Sequence, residues 1–297
     1  MSASIPYGFS LQYAQTSLGR MAYFSNDSSS ADADKERPTL LFLHGFGGGA
    51  SSYEWSKVYP AFASTYRVVA PDLLGWGQSE HPQRSYAVED YLLTLREFIQ
   101  GIGAQPVIAI ASTLSAAFIV RIATQHPDWF DSLFLVCPSG FQDFGKPAGR
   151  RIPLPIINTP GLDLAIYALG ATNEIAVTLF LERFVFAERD RISPEVVNAY
   201  LTSAQQPNAE YAALSFLRGD LNFDLAEYAP KLEVPTAIAW GQKSQFISPE
   251  LGRRLVAQNP SYLRQFDIVP DAGIFPHLEL PAAIISLILS WVERAGE

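Results

Sequence analysis

Only one cysteine, Cys137, occurs in the chain, so no disulfide can form within it and a multi-cysteine metal site is excluded. Histidine is nearly as scarce. His44, His81, His126 and His277 stand far apart, and none has the spacing of a metal-ligand pair. Basic charge is also short: 21 Lys+Arg against 30 Asp+Glu leave a net charge of −9. A general nucleic-acid binder needs a basic face to neutralise phosphates, so that class is set aside. Long uninterrupted apolar runs are missing too. Phe98 to Val120 carries no charged residue, but Gly101, Gly103, Gln105, Pro106 and Ser112 break it into helix end, loop, strand and turn. A membrane span needs about 20 predominantly apolar residues, so no transmembrane segment is expected. The opening MSASIPYGFSLQ has no basic stretch ahead of an apolar run, so no secretory signal is expected either. With a lone thiol, this points to a reducing, cytoplasmic setting.

What the chain does have is apolar residues. They make up 48% of its 297 positions, against 17% charged, enough for a large core and too many for global disorder. Apolar runs alternate with amphipathic ones, the pattern of a mostly parallel sheet with helices on both faces. Strands are expected at Phe9–Thr16, Arg20–Phe24, Thr39–Leu43, Tyr66–Ala70, Val107–Ala111, Ser132–Val136, Thr236–Trp240 and Tyr262–Val269. Helices are expected at Val88–Ile102, Leu114–Gln125, Pro249–Gln258 and Pro281–Arg294. The polar stretch Asn26–Pro38 reads as an exposed, mobile loop.

From about Gly140 to Pro230 the alternation stops. Helical patterns at Asp163–Leu169, Asn173–Phe186, Pro194–Ala204 and Ala209–Arg218 follow one another without a core strand. Residues 1–139 and 231–297 therefore read as one α/β core, and 140–230 as a helical cap inserted into it.

Three segments stand out within this plan: His44-Gly45-Phe46-Gly47-Gly48 after a strand, Asp72-Leu73-Leu74-Gly75-Trp76-Gly77-Gln78-Ser79 after the next, and Pro276-His277-Leu278-Glu279-Leu280-Pro281 near the end. Together they resemble the α/β-hydrolase superfamily. The resemblance is to its cofactor-free, cap-bearing members: esterases, carbon–carbon hydrolases, dehalogenases and epoxide hydrolases. It implies a mostly parallel sheet flanked by helices, an inserted helical cap and no cofactor.

The family sets a nucleophile in a strained strand-to-helix turn, G-x-S-x-G, followed in chain order by an acid and a histidine. The turn aligns with Ala111-Ser112-Thr113-Leu114-Ser115, so the resemblance puts Thr113 at the nucleophile position. Threonine's extra methyl restricts χ1 and crowds an approaching carbonyl. Ser112 in its place would restore neither acid nor base. Trp240-Gly241-Gln242-Lys243-Ser244 puts Ser244 where the acid belongs. The alternative acid site after the preceding strand, Val136-Cys137-Pro138-Ser139-Gly140, has no carboxylate, and Asp143 comes late. In Gly273-Ile274-Phe275-Pro276-His277, Ile274 takes the place of the base and His277 matches the second histidine of the motif. His277 is the candidate for a displaced base; the alternative is a packing or helix-capping histidine.

By the same resemblance, the backbone N–H groups of Phe46 and Leu114, with Gly45 and Thr113, form an oxyanion-hole framework able to hold a carbonyl or carboxylate. His44, Asp72 and Ser79 are expected to be structural, and Cys137 a buried, inert thiol. His126, at a helix end, is expected to serve as a cation near the helix C-terminus.

The cap begins with Lys146, Arg150 and Arg151, then Ile152-Pro153-Leu154-Pro155-Ile156-Ile157, and its helices are greasy. Packing on the body is one reading. Peripheral contact with a membrane through the cap is another, with prolines favouring a loop over an amphipathic helix there.

Acyl transfer needs a proton acceptor beside the nucleophile. The reading therefore leans away from an enzyme. It favours a pseudo-hydrolase that binds a small apolar molecule or a protein partner, with no metal. The alternative is a slow or altered hydrolase or lyase that uses the oxyanion hole on an ester or carbonyl, with Thr113 as its nucleophile.

Overall fold

The computed structural model describes residues 5–27, 37–103, 106–142, 159 and 161–295. Most of the loop expected at Asn26–Pro38 lies outside them. So do Asp143, Lys146, Arg150, Arg151 and the Ile152–Ile157 segment.

Eight strands form one sheet. In chain order they are β1 (Ser10–Thr16), β2 (Gly19–Ser25), β3 (Thr39–Leu43), β4 (Arg67–Pro71), β5 (Val107–Ser112), β6 (Phe130–Val136), β7 (Thr236–Gly241) and β8 (Leu263–Val269). In space they run β1-β2-β4-β3-β5-β6-β7-β8. The leading hairpin is antiparallel and β2 joins β4 antiparallel; every pairing from β4 to β8 is parallel.

The sequence explains this order. The runs TLLFL of β3, VIAIAS of β5 and TAIAWG of β7 are buried at every position, as strands covered on both faces must be. Strand β1, SLQYAQT, is buried only at its last residue and forms one edge. Helices α1 (Val88–Gly101) and α2 (Thr113–Gln125) follow β4 and β5. Helix α1 starts where the Asp90 carboxylate accepts the Ala87 N–H at 2.8 Å, satisfying a donor with no intrahelical partner.

Between β6 and β7 the described chain is helical: α3 (Leu162–Ala171), α4 (Glu174–Phe180), α5 (Pro194–Ala204) and α6 (Ala209–Arg218). Helix α4 runs on into a π turn over Leu181–Val185. Helix α5 opens with Ser193 capping the Val196 N–H and Pro194 in its first turn. Helix α6 ends at Gly219, whose φ of 85° belongs to a left-handed terminus. The remaining helices, α7 (Pro249–Val256), α8 (Pro276–Glu279) and α9 (Pro281–Ala295), belong to the C-terminal part of the sheet.

This topology positions the site. The chain leaves β3 toward β4 on one side, then crosses back to β5 on the other, so the loops after β3 and β5 diverge and leave a crevice at the strands' carboxyl ends. The inserted helices lie against the loops after β3 and β4. A Cβ on Gly75 would meet Ala212 of α6 at 2.8 Å, and one on Gly47 would meet Phe180 of α4 at 3.4 Å.

Candidate functional site

The loop after β3 is held from within. His44 is fully buried; its Nε2 accepts the Leu73 N–H at 2.9 Å, so Nδ1 carries the proton and donates to the Gly45 carbonyl at 2.7 Å. With both nitrogens occupied, His44 braces the loops after β3 and β4. Asp72 ties the same two loops, accepting Ser52 N–H and Gln78 N–H at 2.7 Å each. Ser79 Oγ donates to the Asp72 carbonyl and accepts the Ala22 N–H.

Thr113 sits at the turn between β5 and α2 with φ +48°. A β-branched residue avoids that region, so the conformation is strained and persists only because the surroundings enforce it. Among those surroundings, Ser115 Oγ donates to the His44 carbonyl and Ser139 N–H donates to the Thr113 carbonyl at 3.2 Å. The Thr113 hydroxyl lies over Gly45. A Cβ at Gly45 would come within 2.8 Å of both Thr113 Oγ1 and the Phe275 ring.

Thr113 Oγ1 has no hydrogen-bond partner, and neither has the neighbouring Ser112 Oγ; both are buried. Thr113 itself is 6% exposed. The Phe46 N–H meets no acceptor among the described residues. Leu114 is the second residue of α2, where an N–H has no carbonyl one turn back within its helix. An unpartnered hydroxyl and two N–H groups without a hydrogen-bond acceptor thus fall on the adjoining loops after β3 and β5, with the Phe275 ring beside Gly45. The Phe46 ring points into an aromatic cluster, 5.0 Å from Tyr91, 5.4 Å from Trp76 and 6.0 Å from Phe216 of α6.

Ile274 lies buried in the loop after β8, and Ser244 Oγ is buried without a partner after β7. Neither side chain can accept a proton at neutral pH. Cys137, at the end of β6, is also held left-handed, at φ +45°. Burial pushes its thiol up to about 12 against the partial relief of the Gly241 N–H, which keeps the sulfur protonated and inert.

His277 makes no hydrogen bond to the Thr113 hydroxyl. Its ring stacks on Trp55 at 3.9 Å, and neither ring nitrogen makes a hydrogen bond. Burial holds its imidazole below the ordinary histidine value, with Glu54 pulling the other way. His277 Nε2 is 3.8 Å from Glu54 Oε2, too long for a hydrogen bond. His126 stacks on Trp129 at 4.2 Å, just beyond the end of α2.

The sequence alone did not single out Glu54. This buried carboxylate accepts the Gly45 N–H at 2.8 Å and the Tyr200 hydroxyl of α5 at 3.1 Å. It therefore pins the loop after β3 to helix α5. Its only local signal is an acid inside the otherwise uncharged Ser51-Ser52-Tyr53-Glu54-Trp55, and its partner lies 146 residues away. Glu279, inside the Pro276-His277-Leu278-Glu279 motif, has no local signal of its own. It accepts N–H bonds from Gly273 at 2.7 Å, Ala187 at 2.9 Å and Glu188 at 3.0 Å, and is paired with Arg191 at 3.0 Å.

A separate cavity of about 120 Å³ lies between α5 and the loops after β3 and β4, lined by Ser52, Tyr53, Asp72, Gln78 and Ser203 among others. Thr113, Phe46 and Leu114 do not line it. No group of three or more His, Cys, Asp or Glu residues that could hold a metal occurs among the described residues.

Residues 40–287 match the model of the alpha/beta hydrolase family. The chain belongs to that family. Its relatives include Epoxide hydrolase 3 of Xenopus tropicalis, 24% identical over 281 residues that span 89% of this chain and 74% of that protein. Lipase 1 of Psychrobacter immobilis is 27% identical over 247 residues, 81% of this chain and 72% of the lipase. Among solved structures, the enol-lactonase from Burkholderia xenovorans LB400 superimposes with a TM-score of 0.76 at 16% identity, covering 95% of this chain and all (100%) of that one. At that identity the likeness concerns the fold.

Proposed function

We propose that this member of the alpha/beta hydrolase family binds a small apolar molecule bearing a carbonyl or carboxylate and does not turn it over. One observation carries the reading: the Thr113 hydroxyl, at the family's nucleophile position, has no hydrogen-bond acceptor. Activating a hydroxyl takes a base within about 3 Å, itself oriented by a third group. Ile274 and Ser244, at the family's base and acid positions, offer neither. The buried His277 makes no hydrogen bond that would orient it toward Thr113.

The Phe46 and Leu114 N–H groups supply what binding needs. Two preorganised donors in an apolar surround would hold a carbonyl oxygen, and Leu114, Ile274 and Phe275 would cover the attached chain. A small molecule suits such a site better than a protein surface, because the donors are recessed among residues no more than 8% exposed.

The strain at Thr113 supports a second reading. Its left-handed φ is the geometry that presents a nucleophile, and relatives named as a lipase and an epoxide hydrolase place hydrolytic chemistry in the family. In that reading Thr113 attacks an ester slowly, or the two N–H groups stabilise an enolate in a lyase.

Native mass spectrometry of the purified protein, paired with ester turnover by wild type and Thr113→Ala, separates the two. Binding without turnover predicts a co-purified small molecule and equal background rates. A rate abolished by Thr113→Ala overturns it in favour of the slow hydrolase.

A further inference from the structure

Helix α3 has its polarity reversed, and α4 beside it exposes an apolar stripe. Helix α3 is fastened to the body by polar groups one turn apart: Asp163 pairs with Arg218 at 2.6 Å, and the Tyr167 hydroxyl donates to the Ala204 carbonyl at 2.8 Å. Its apolar residues Leu162, Leu164 and Leu169 stand exposed instead. In α4 the exposed stripe is Ile175 and Leu179, again one turn apart, while Val177 packs inward. Five of the nine large apolar side chains exposed among the described residues thus fall between positions 162 and 179. Leu169 and Ile175 are the most open of the five, at 76% and 74%. An amphipathic helix in water does the opposite, and a cluster of this kind marks an interaction face.

We propose that this α3–α4 elbow seats in the surface of a lipid bilayer. Exposed side chains surround α3 on all sides but the Asp163–Tyr167 stripe, as in a helix immersed in an apolar fluid; a flat protein partner would cover one side. Together Leu162–Ala171 and Glu174–Val185 reach the apolar content of a membrane span, but they meet at an 81° bend, so no straight helix crosses, and an elbow of this shape fits the interface plane. Charge agrees. Of the three acids on the elbow, Asp163 and Glu182 are each held by an arginine, Arg218 and Arg189, and Glu174 stands exposed at the start of α4. Residues 143–191 hold six basic and six acidic side chains, a neutral stretch in a chain of net −9. The elbow also packs on the oxyanion loop, where a Cβ on Gly48 would lie 3.1 Å from Ala171. Lipid docking therefore brings the loop carrying Phe46 to the membrane surface, whether or not the site holds a ligand.

The test is co-sedimentation of the full chain with vesicles of phosphatidylcholine and phosphatidylglycerol, beside Leu169→Ser/Ile175→Ser. Both side chains are exposed, so the urea midpoint of the variant should match wild type. Each apolar side chain withdrawn from lipid weakens partitioning about tenfold, roughly a hundredfold for the pair. Wild type in the pellet with the variant in the supernatant supports the proposal. Wild type that stays in solution, or partitions no better than the variant, overturns it. So does wild type that dimerises without lipid while the variant is monomeric, since the occupant is then a second copy.

Discussion

Replacing Glu279 by Gln should loosen the inserted helices from the body. The carboxylate receives four donors: Gly273 N–H on one oxygen, Glu188 N–H and Arg191 on the other, and Ala187 N–H shared between them. Glutamine keeps one acceptor oxygen and turns an NH2 toward whichever donor faces its nitrogen. If the oxygen stays with Glu188 and Arg191, the Gly273 N–H faces another donor in a buried site. A buried unsatisfied donor costs about 1–3 kcal/mol, and each remaining bond weakens on losing the charge. The sum is roughly 3–5 kcal/mol, in the range for breaking a buried ion pair from one side. Urea unfolding gives the total, and hydrogen exchange at Ala187, Glu188 and Gly273 gives the location. A change under about 0.5 kcal/mol, within the scatter of surface substitutions, with Gly273 as protected as in wild type, would refute this role for Glu279.

His277 should leave a mark on stability against pH. Burial lowers its folded pKa below the unfolded value of about 6.5, so the unfolded chain takes up a proton first as pH falls. Its contribution is whole above about pH 6.5 and is lost below it at up to about 1.4 kcal/mol per pH unit, until the folded imidazole also protonates. His277→Phe keeps a ring on Trp55 and removes that slope; parallel urea-midpoint curves for variant and wild type between pH 5 and 7 would count against it. His81, also lowered by burial, contributes equally to both proteins and cancels. Restoring the family's triad by Thr113→Ser, Ser244→Asp and Ile274→His together should raise p-nitrophenyl ester turnover by about 10²-fold or more, the usual yield of a positioned base. A folded triple variant no faster than wild type would show that something besides those three side chains blocks the chemistry.

Much of the fold can be read from local pattern. The all-apolar runs of β3, β5 and β7 announce buried parallel strands, and Ser193-Pro194 and Gly219 mark the ends of α5 and α6. The turn at Thr113 and the loop at His44 are visible because each is a short motif whose function depends on neighbours in sequence. The Glu54–Tyr200 bond and the Glu279 anchor span 146 and 92 residues, and no periodicity encodes a contact at that distance. The outward face of α3 is hidden for another reason. Leu162, Leu164 and Leu169 look the same in sequence whether a core or a lipid covers them, and only the inward pairing of Asp163 and Tyr167 reveals which way the helix is turned.

Thr113 either can or cannot act as a nucleophile, and the proposed function stands on its inability to do so. Intact-mass analysis after treatment with a fluorophosphonate probe, with peptide mapping beside a labelled serine hydrolase, asks this directly. With no acceptor for its proton, Thr113 should stay unmodified and the mass of the protein unchanged. An adduct mapped to Thr113 would contradict the account, because it would require a base at that hydroxyl.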